Sequence, residues 1–521
     1  MSKIMEASQA TKLIKDGDCV WVVSCGGGIN EPSLILEKLE ASFLESGHPS
    51  NLLLCHSSGI GDKNGGGSDR FSHPGMVRKV IGSHWSWSPR IQQMALNNEI
   101  EAYVLPQGVM VQLAREIAGG KPGLISHVGL GTFIDPRIEG GAINKISKDE
   151  LSKVIEIDGN EYLFYKSFPI DVTILRGTTA DEDGNISFEH EGLILEGISA
   201  AQAAKNSGGI VIAQVKRVVK RGMLKATEIR VPGILVDAVV LDPNQRVSFK
   251  TDYNPSLSGE YKIPLEGSME RMPLNERKVI AKRAAMELYE NAKVNLGFGM
   301  PDGVASVVGE ENLSDYITLT VEQGIVGGVP ASGTDFGIAY NANAIIEEPY
   351  QFDWYDGGGL DLAVLSFAEI DKEGNVNVSK FGDRVSGVGG FINISQNAKQ
   401  VVFVGTFTTA GLKEKVDNNK LEILSEGKVN KLVDKVSQIS FSGEYAKMKQ
   451  QKVLYVTERA VFELTKDGIM LIEVAPGIDI DKDVLAQMEF KPLISKQIKI
   501  MDPDIFSDRP LNLRTKIEKK G

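Results

Sequence analysis

The chain has 521 residues, of which 42% are hydrophobic and 24% charged, and its formal net charge is −12 at pH 7. That length exceeds what one hydrophobic core supports, so two or more domains of ordinary globular composition are expected. The acidic balance argues against nucleic acid or an anionic membrane as the main partner, and no run is apolar and long enough to span a bilayer.

The opening MSKIMEASQATKLIKDGD reads as a short amphipathic helix and lacks the apolar core of a signal peptide. Cys19, Cys25 and Cys55 are few and unpatterned for so long a chain, which fits a reduced, cytoplasmic setting without a disulfide framework. The histidines form no HExxH and no Cys/His ligand spacing, so no metal site is expected.

From Asp16 the text DGDCVWVVSCGGGINEPSLILEKLE gives an apolar strand, a glycine turn at Gly26–Gly28 and a helix opened by Pro32. A second such unit starts at Ala292, AKVNLGFGMPDGVASVVGEE, with Gly297, Gly299 and Pro301. Asp171 starts DVTILRGTTADEDGNIS and Asp361 starts DLAVLSFAEIDKEGNVN. Both read as a strand, an acidic turn ending in Gly-Asn (Gly184-Asn185, Gly374-Asn375) and a returning strand. A further strand follows each, from Gly208 and from Lys399. Corresponding elements in the same order predict two homologous three-layer α/β domains with largely parallel open sheets. The expected division is 1–250, a polar linker over 251–273, and 274–521. Asn275 is predicted to cap a helix over ERKVIAKRAAMELYENA.

The stretch Tyr316–Pro330, YITLTVEQGIVGGVP, holds the principal candidate. A β-branched apolar strand ends at Val321, Glu322 follows, and Gly324, Gly327 and Gly328 break the run. In open α/β sheets ligands bind at the carboxyl ends of strands. Most glutamates at such ends are simply solvated, so placement alone leaves both readings open. There is no GxSxG elbow and no Walker A. The glycine clusters GGGINE, GLGTFI, GFGMPD and GVGGFI lack the third glycine of a dinucleotide fingerprint.

Taken together, GGG…P at Gly26–Pro32, LPQG at Leu105–Gly108, GLGTFIDP at Gly129–Pro136 and NLGFGMP at Asn295–Pro301 begin a longer series. VEQGIVGG at Val321–Gly328, FDWYDGGGLDLA at Phe352–Ala363 and GVGGFINIS at Gly387–Ser395 continue it. VLYVTERAVFEL at Val453–Leu464 and EVAPGIDIDKDVL at Glu473–Leu485 complete it. The series resembles the family I coenzyme A transferases, most closely the single-chain propionate/acetate type, over nearly the whole length. The resemblance implies that Glu322 is the nucleophile. It further implies an oxyanion hole from the Gln107 side chain and a backbone amide within Gly387–Gly390, with Gly389 favoured. Gln107 could equally be a turn glutamine before Gly108. Gly297, Gly299, Gly358, Gly359, Gly387 and Gly390 are candidate walls for coenzyme A (CoA).

The implied activity is reversible CoA transfer between a short-chain acyl-CoA and a carboxylic acid, of the acetate, propionate, butyrate or acetoacetate type. CoA would be substrate and transient covalent adduct, with no permanently bound cofactor. An acyl-CoA hydrolase on the same scaffold and a non-catalytic metabolite-binding regulator are the alternatives. A homodimer or homotetramer is expected for an enzyme of this size.

Overall fold

The computed structural model describes residues 3–264, 271–382 and 384–517. Residues 265–270 of the expected linker and 518–521 of the C-terminal tail lie outside the described residues. The chain divides into two compact units that interleave along the sequence. The first takes Met1–Ile263, Val321–Asp353 and Gly382–Asn393; the second takes Pro264–Thr320, Trp354–Phe381 and Ile394–Gly521.

In the first unit the main strands are β1 (Cys19–Val22), β2 (Leu52–His56), β3 (Val77–Gly82) and β4 (Glu101–Val104). They are followed by β5 (Val172–Asp181), β6 (Ile186–Ser187), β7 (Ile210–Val219) and β8 (Ala238–Leu241). The order β8-β7-β5-β1-β2-β3-β4 is parallel throughout. β6 folds back antiparallel on the end of β5. All four residues of the apolar β1 and all ten of the partly polar β5 are buried, as strands of a parallel sheet covered on both faces are.

The second unit contains β9 (Lys293–Leu296), β10 (Thr318–Val321, whose last residue starts the first unit's second segment), β11 (Leu362–Ser366), β12 (Gln400–Val404) and β13 (Lys452–Val456). These too are parallel, in the order β13-β12-β11-β9-β10. Position for position this repeats β8-β7-β5-β1-β2 of the first unit. A hairpin turn at Lys466–Gly468 joins Ala460–Thr465 to Gly468–Val474.

The duplication extends to single hydrogen bonds. Asp171 Oδ2 accepts from Cys19 N at 2.8 Å, and Asp361 Oδ2 from Lys293 N at 2.9 Å. In the two Gly-Asn turns Asp181 accepts from Asp183 N, Asn185 N and the Asn185 amide, as Asp371 does from Glu373 N, Asn375 N and the Asn375 amide. Gly184 (φ 83°) and Gly374 (φ 87°) supply the left-handed corner that the turn needs.

Asn275 caps its helix as expected, its side chain accepting from Lys278 N at 3.1 Å, but the helix ends at Ala285. Tighter bonds then take over, Glu287 N to Ala284 O and Leu288 N to Ala285 O. That tightening keeps Leu288 in the second unit's core with Val279, Val294, Val304 and Val364. No helix among the described residues is long and apolar enough to cross a membrane.

One buried titratable group gives a stability prediction. His56, 1% exposed on β2, has Nδ1 2.7 Å from Ser58 O, while its Nε2 is buried without a partner among the described residues. Burial lowers its pKa from 6.5 to about 4. A folded-state pKa below the unfolded one means this group favours the fold fully above pH 6.5 and loses that contribution as pH falls toward 4. The loss integrates to about 3 kcal/mol. Melting temperature measured from pH 7 to pH 4 should therefore fall less steeply for His56→Gln than for the parent chain.

Candidate active site

Glu322 stands directly after β10, in a turn closed by Gly324 N donating to Val321 O at 3.1 Å. The turn requires glycine at 324. Its φ is 111°, and a Cβ there would sit 2.1 Å from Ile346 O. This fold of the backbone draws the Glu322 side chain inward, leaving it only 8% exposed. The Gln323 amide donates to Glu322 Oε1 at 3.2 Å. The solvated strand-end reading does not describe this glutamate.

Gln107 is the first residue of the helix Gln107–Ala118, which begins two residues beyond β4. It is buried, and its backbone N–H donates to Gly389 O at 2.9 Å. Gln107 Oε1 lies against Gly389, 3.3 Å from where a Cβ would be. The LPQG corner and the Gly387–Gly390 loop, far apart in sequence, therefore meet. Ser83 O anchors that loop, accepting from Val388 N at 2.8 Å and from Gly389 N at 3.0 Å. The Gly389 N–H is thus already engaged, whereas the Gly390 N–H donates no hydrogen bond among the described residues.

Two further carboxyl groups sit beside these residues, Glu196 and Glu348, both 0% exposed. Gln107 Nε2 donates to Glu348 Oε1 at 2.5 Å. Glu196 Oε1 accepts from Trp21 Nε1 at 3.0 Å and from the Ser57 hydroxyl at 2.5 Å. Burial, and then the charges of Glu196 and Glu322, push the Glu348 carboxyl well above the usual carboxylate range. Glu322 is therefore close enough to Glu348 to act on it electrostatically. Cys25 shares the region, with burial pushing its thiol up to about 12, which leaves it protonated at neutral pH.

The geometry brings together a buried carboxylate, a fixed primary amide and a glycine loop at the ends of parallel strands. Comparison with known proteins gives this arrangement a family. Residues 4–242 match the family model described as Coenzyme A transferase. Over 517 residues, covering 98% of both chains, the sequence is 47% identical to the caffeate CoA-transferase of Acetobacterium woodii. The chain belongs to the coenzyme A transferase family. It is 41% identical over 506 residues to the acetate CoA-transferase YdiF of Escherichia coli K12, covering 97% of this chain and 95% of that one. The crystal structure of acyl-CoA transferase YdiF from E. coli O157:H7, a thioester complex with CoA, superposes with a TM-score of 0.93. It is 40% identical and covers 98% of this chain and 97% of that chain.

The other glycines of this CoA-transferase singled out by sequence lie in the second unit, where each has a local setting. Gly297 N donates to Val364 O at 2.9 Å, and Gly299 O accepts from the Arg277 guanidinium at 2.7 Å. Gly358 and Gly359 close the helix Glu348–Asp356, their N–H groups donating to Tyr355 O and Trp354 O at 2.9 Å each. At 359 a Cβ would meet the Trp354 ring at 2.1 Å, so packing alone demands glycine there.

Glu196 and Glu348 are the polar residues of this transferase that sequence reasoning missed. The available signal was a carboxylate inside an apolar run, LILEG, and a glutamate immediately before a helix-opening proline, EEPY. Trp85 is buried in the core, and its indole N–H donates to Gly82 O at 3.2 Å.

Proposed function

We propose that this enzyme moves CoA reversibly between an acyl-CoA and a carboxylic acid, with Glu322 as the covalent carrier. The observation that carries this reading is the nearly buried carboxylate at the end of β10, held inward in a chain that matches CoA-transferases over its whole length. A carboxylate is ionised at neutral pH and attacks a thioester carbonyl without a separate base. The carbonyl–sulfur bond breaks, CoA leaves as thiolate, and an acyl–glutamyl anhydride forms. The thiolate then attacks the Glu322 carbonyl. This releases the first acid with the bridging oxygen and leaves a Glu322–CoA thioester. The second carboxylate reverses both steps, so the thioester bond energy is conserved and ping-pong kinetics follow.

Each attack creates an oxyanion. Gln107 offers the N–H of its amide that Glu348 does not take, and Gly390 supplies the backbone donor, because the Gly389 N–H is engaged by Ser83. CoA is substrate and transient adduct. Assembly as a homodimer or homotetramer belongs to the same proposal.

The acid is of the short-chain type, acetate, propionate, butyrate or acetoacetate, as the acetate-specific name of YdiF supports. The name of the A. woodii relative favours a second reading, an arylpropenoic acid such as caffeate. Initial rates with acetyl-CoA and either acetoacetate or caffeate as acceptor separate the two. Turnover that persists with no acceptor acid would instead make the enzyme a hydrolase.

A further inference from the structure

Glu196 and Glu348 put two carboxyl groups near enough to act on each other in an interior with no exposure to water. On each, one oxygen is fully engaged: Glu196 Oε1 by Trp21 and Ser57, and Glu348 Oε1 by Gln107. The remaining oxygens, Glu196 Oε2 and Glu348 Oε2, are buried and receive no donor from another residue among the described residues. Two neighbouring buried carboxyl groups cannot both stay ionised out of water; one of them must hold a proton, which also gives an unpartnered oxygen a role. Glu196 carries two donors on its other oxygen and is suited to stay ionised. Glu348 has one neutral amide and the charge of Glu322 nearby, so the proton belongs on Glu348.

The geometry points to Glu348, as a neutral acid beside Glu196, being the positioning residue that orients the Gln107 amide for the reaction. Its Oε1, the carbonyl oxygen of the acid, can only accept. Gln107 must therefore present its NH2 group to Glu348 and turn its own Oε1 toward Gly389. A flipped amide would place an oxygen lone pair against the developing oxyanion and leave Glu348 Oε1 without a donor. Being neutral, Glu348 fixes this orientation without adding a negative charge beside Glu322. The remaining charge sits on Glu196, where Trp21 and Ser57 offset it.

This inference rests on the CoA-transfer reading, and its test separates the two. An amide can replace the acid atom for atom: in Glu348→Gln the C=O accepts from Gln107 and the side chain stays neutral. Glu348→Ala removes the acceptor. Exchange kinetics on the two purified variants should show kcat within about 3-fold of the parent for Glu348→Gln. For Glu348→Ala it should fall about 10²–10³-fold, with KM changed much less, as expected for losing an aligned oxyanion donor. The infrared difference spectrum of parent minus Glu348→Gln at neutral pH should contain the C=O stretch of a protonated carboxylic acid, and this holds even if the alanine variant does not fold. Glu348→Gln falling as far as the alanine variant, Glu348→Ala retaining the parent kcat, or the absence of that band would each overturn the assignment. Failure to trap an adduct on Glu322 with the acid band present would instead sink the transfer mechanism and leave the carboxyl pair standing.

Discussion

Glu322→Gln lowers CoA exchange by at least about 10⁴-fold, the scale on which removing a covalent nucleophile acts. The substitution keeps the shape of the side chain and removes only its charge and its capacity to form an anhydride. Glu322 is 8% exposed, and its charge opposes ionisation of the buried Glu348. The melting temperature of Glu322→Gln should therefore equal or exceed that of the parent while activity is lost. Circular dichroism melts beside an exchange assay read both. An inactive variant that also melts early would assign the loss to the fold and not to the chemistry.

The second large effect falls on Gln107. Gln107→Leu keeps an uncharged side chain of similar bulk but has no N–H to offer, so kcat should drop about 10²–10³-fold, the measured worth of one oxyanion donor. The variant also strips the buried Glu348 Oε1 of its donor, at a stability cost of about 1–3 kcal/mol. A loss confined to kcat/KM through KM would mean that Gln107 binds substrate and transition state alike. Stopped assays over a range of acyl-CoA concentrations distinguish these outcomes.

The sequence carried the elements whose cause is local. The Asp-x-x-Gly-Asn turns were legible because Asp181 and Asp371 bond within their own turns, and Gly184 and Gly374 take the left-handed corner. The duplication was legible because matching text folds into matching strands, down to Asp171 on Cys19 and Asp361 on Lys293. The turn that carries Glu322 was legible through the glycines that break the run after it, of which Gly324 is tied to Ile346.

What was not legible depends on partners remote in sequence. Glu348 meets Gln107 across 241 positions and Glu196 meets Trp21 across 175, and neither residue carries a local mark of that pairing. Nor does text reveal that Gly389 spends its N–H on Ser83, which shifts the candidate backbone donor to Gly390. The interleaving of the units has the same origin. Val321–Asp353 and Gly382–Asn393 belong to the first unit through bonds such as Gln107 N to Gly389 O, although both lie beyond the middle of the chain.

The most direct measurement is to incubate the parent enzyme with acyl-CoA and no acceptor acid, digest it, and weigh the peptide that contains Glu322. A mass gain of one CoA less one water on that peptide, discharged by adding acceptor acid and absent in Glu322→Gln, is the result expected. CoA on any other residue, or an unmodified peptide in an enzyme that still exchanges CoA, would contradict the account.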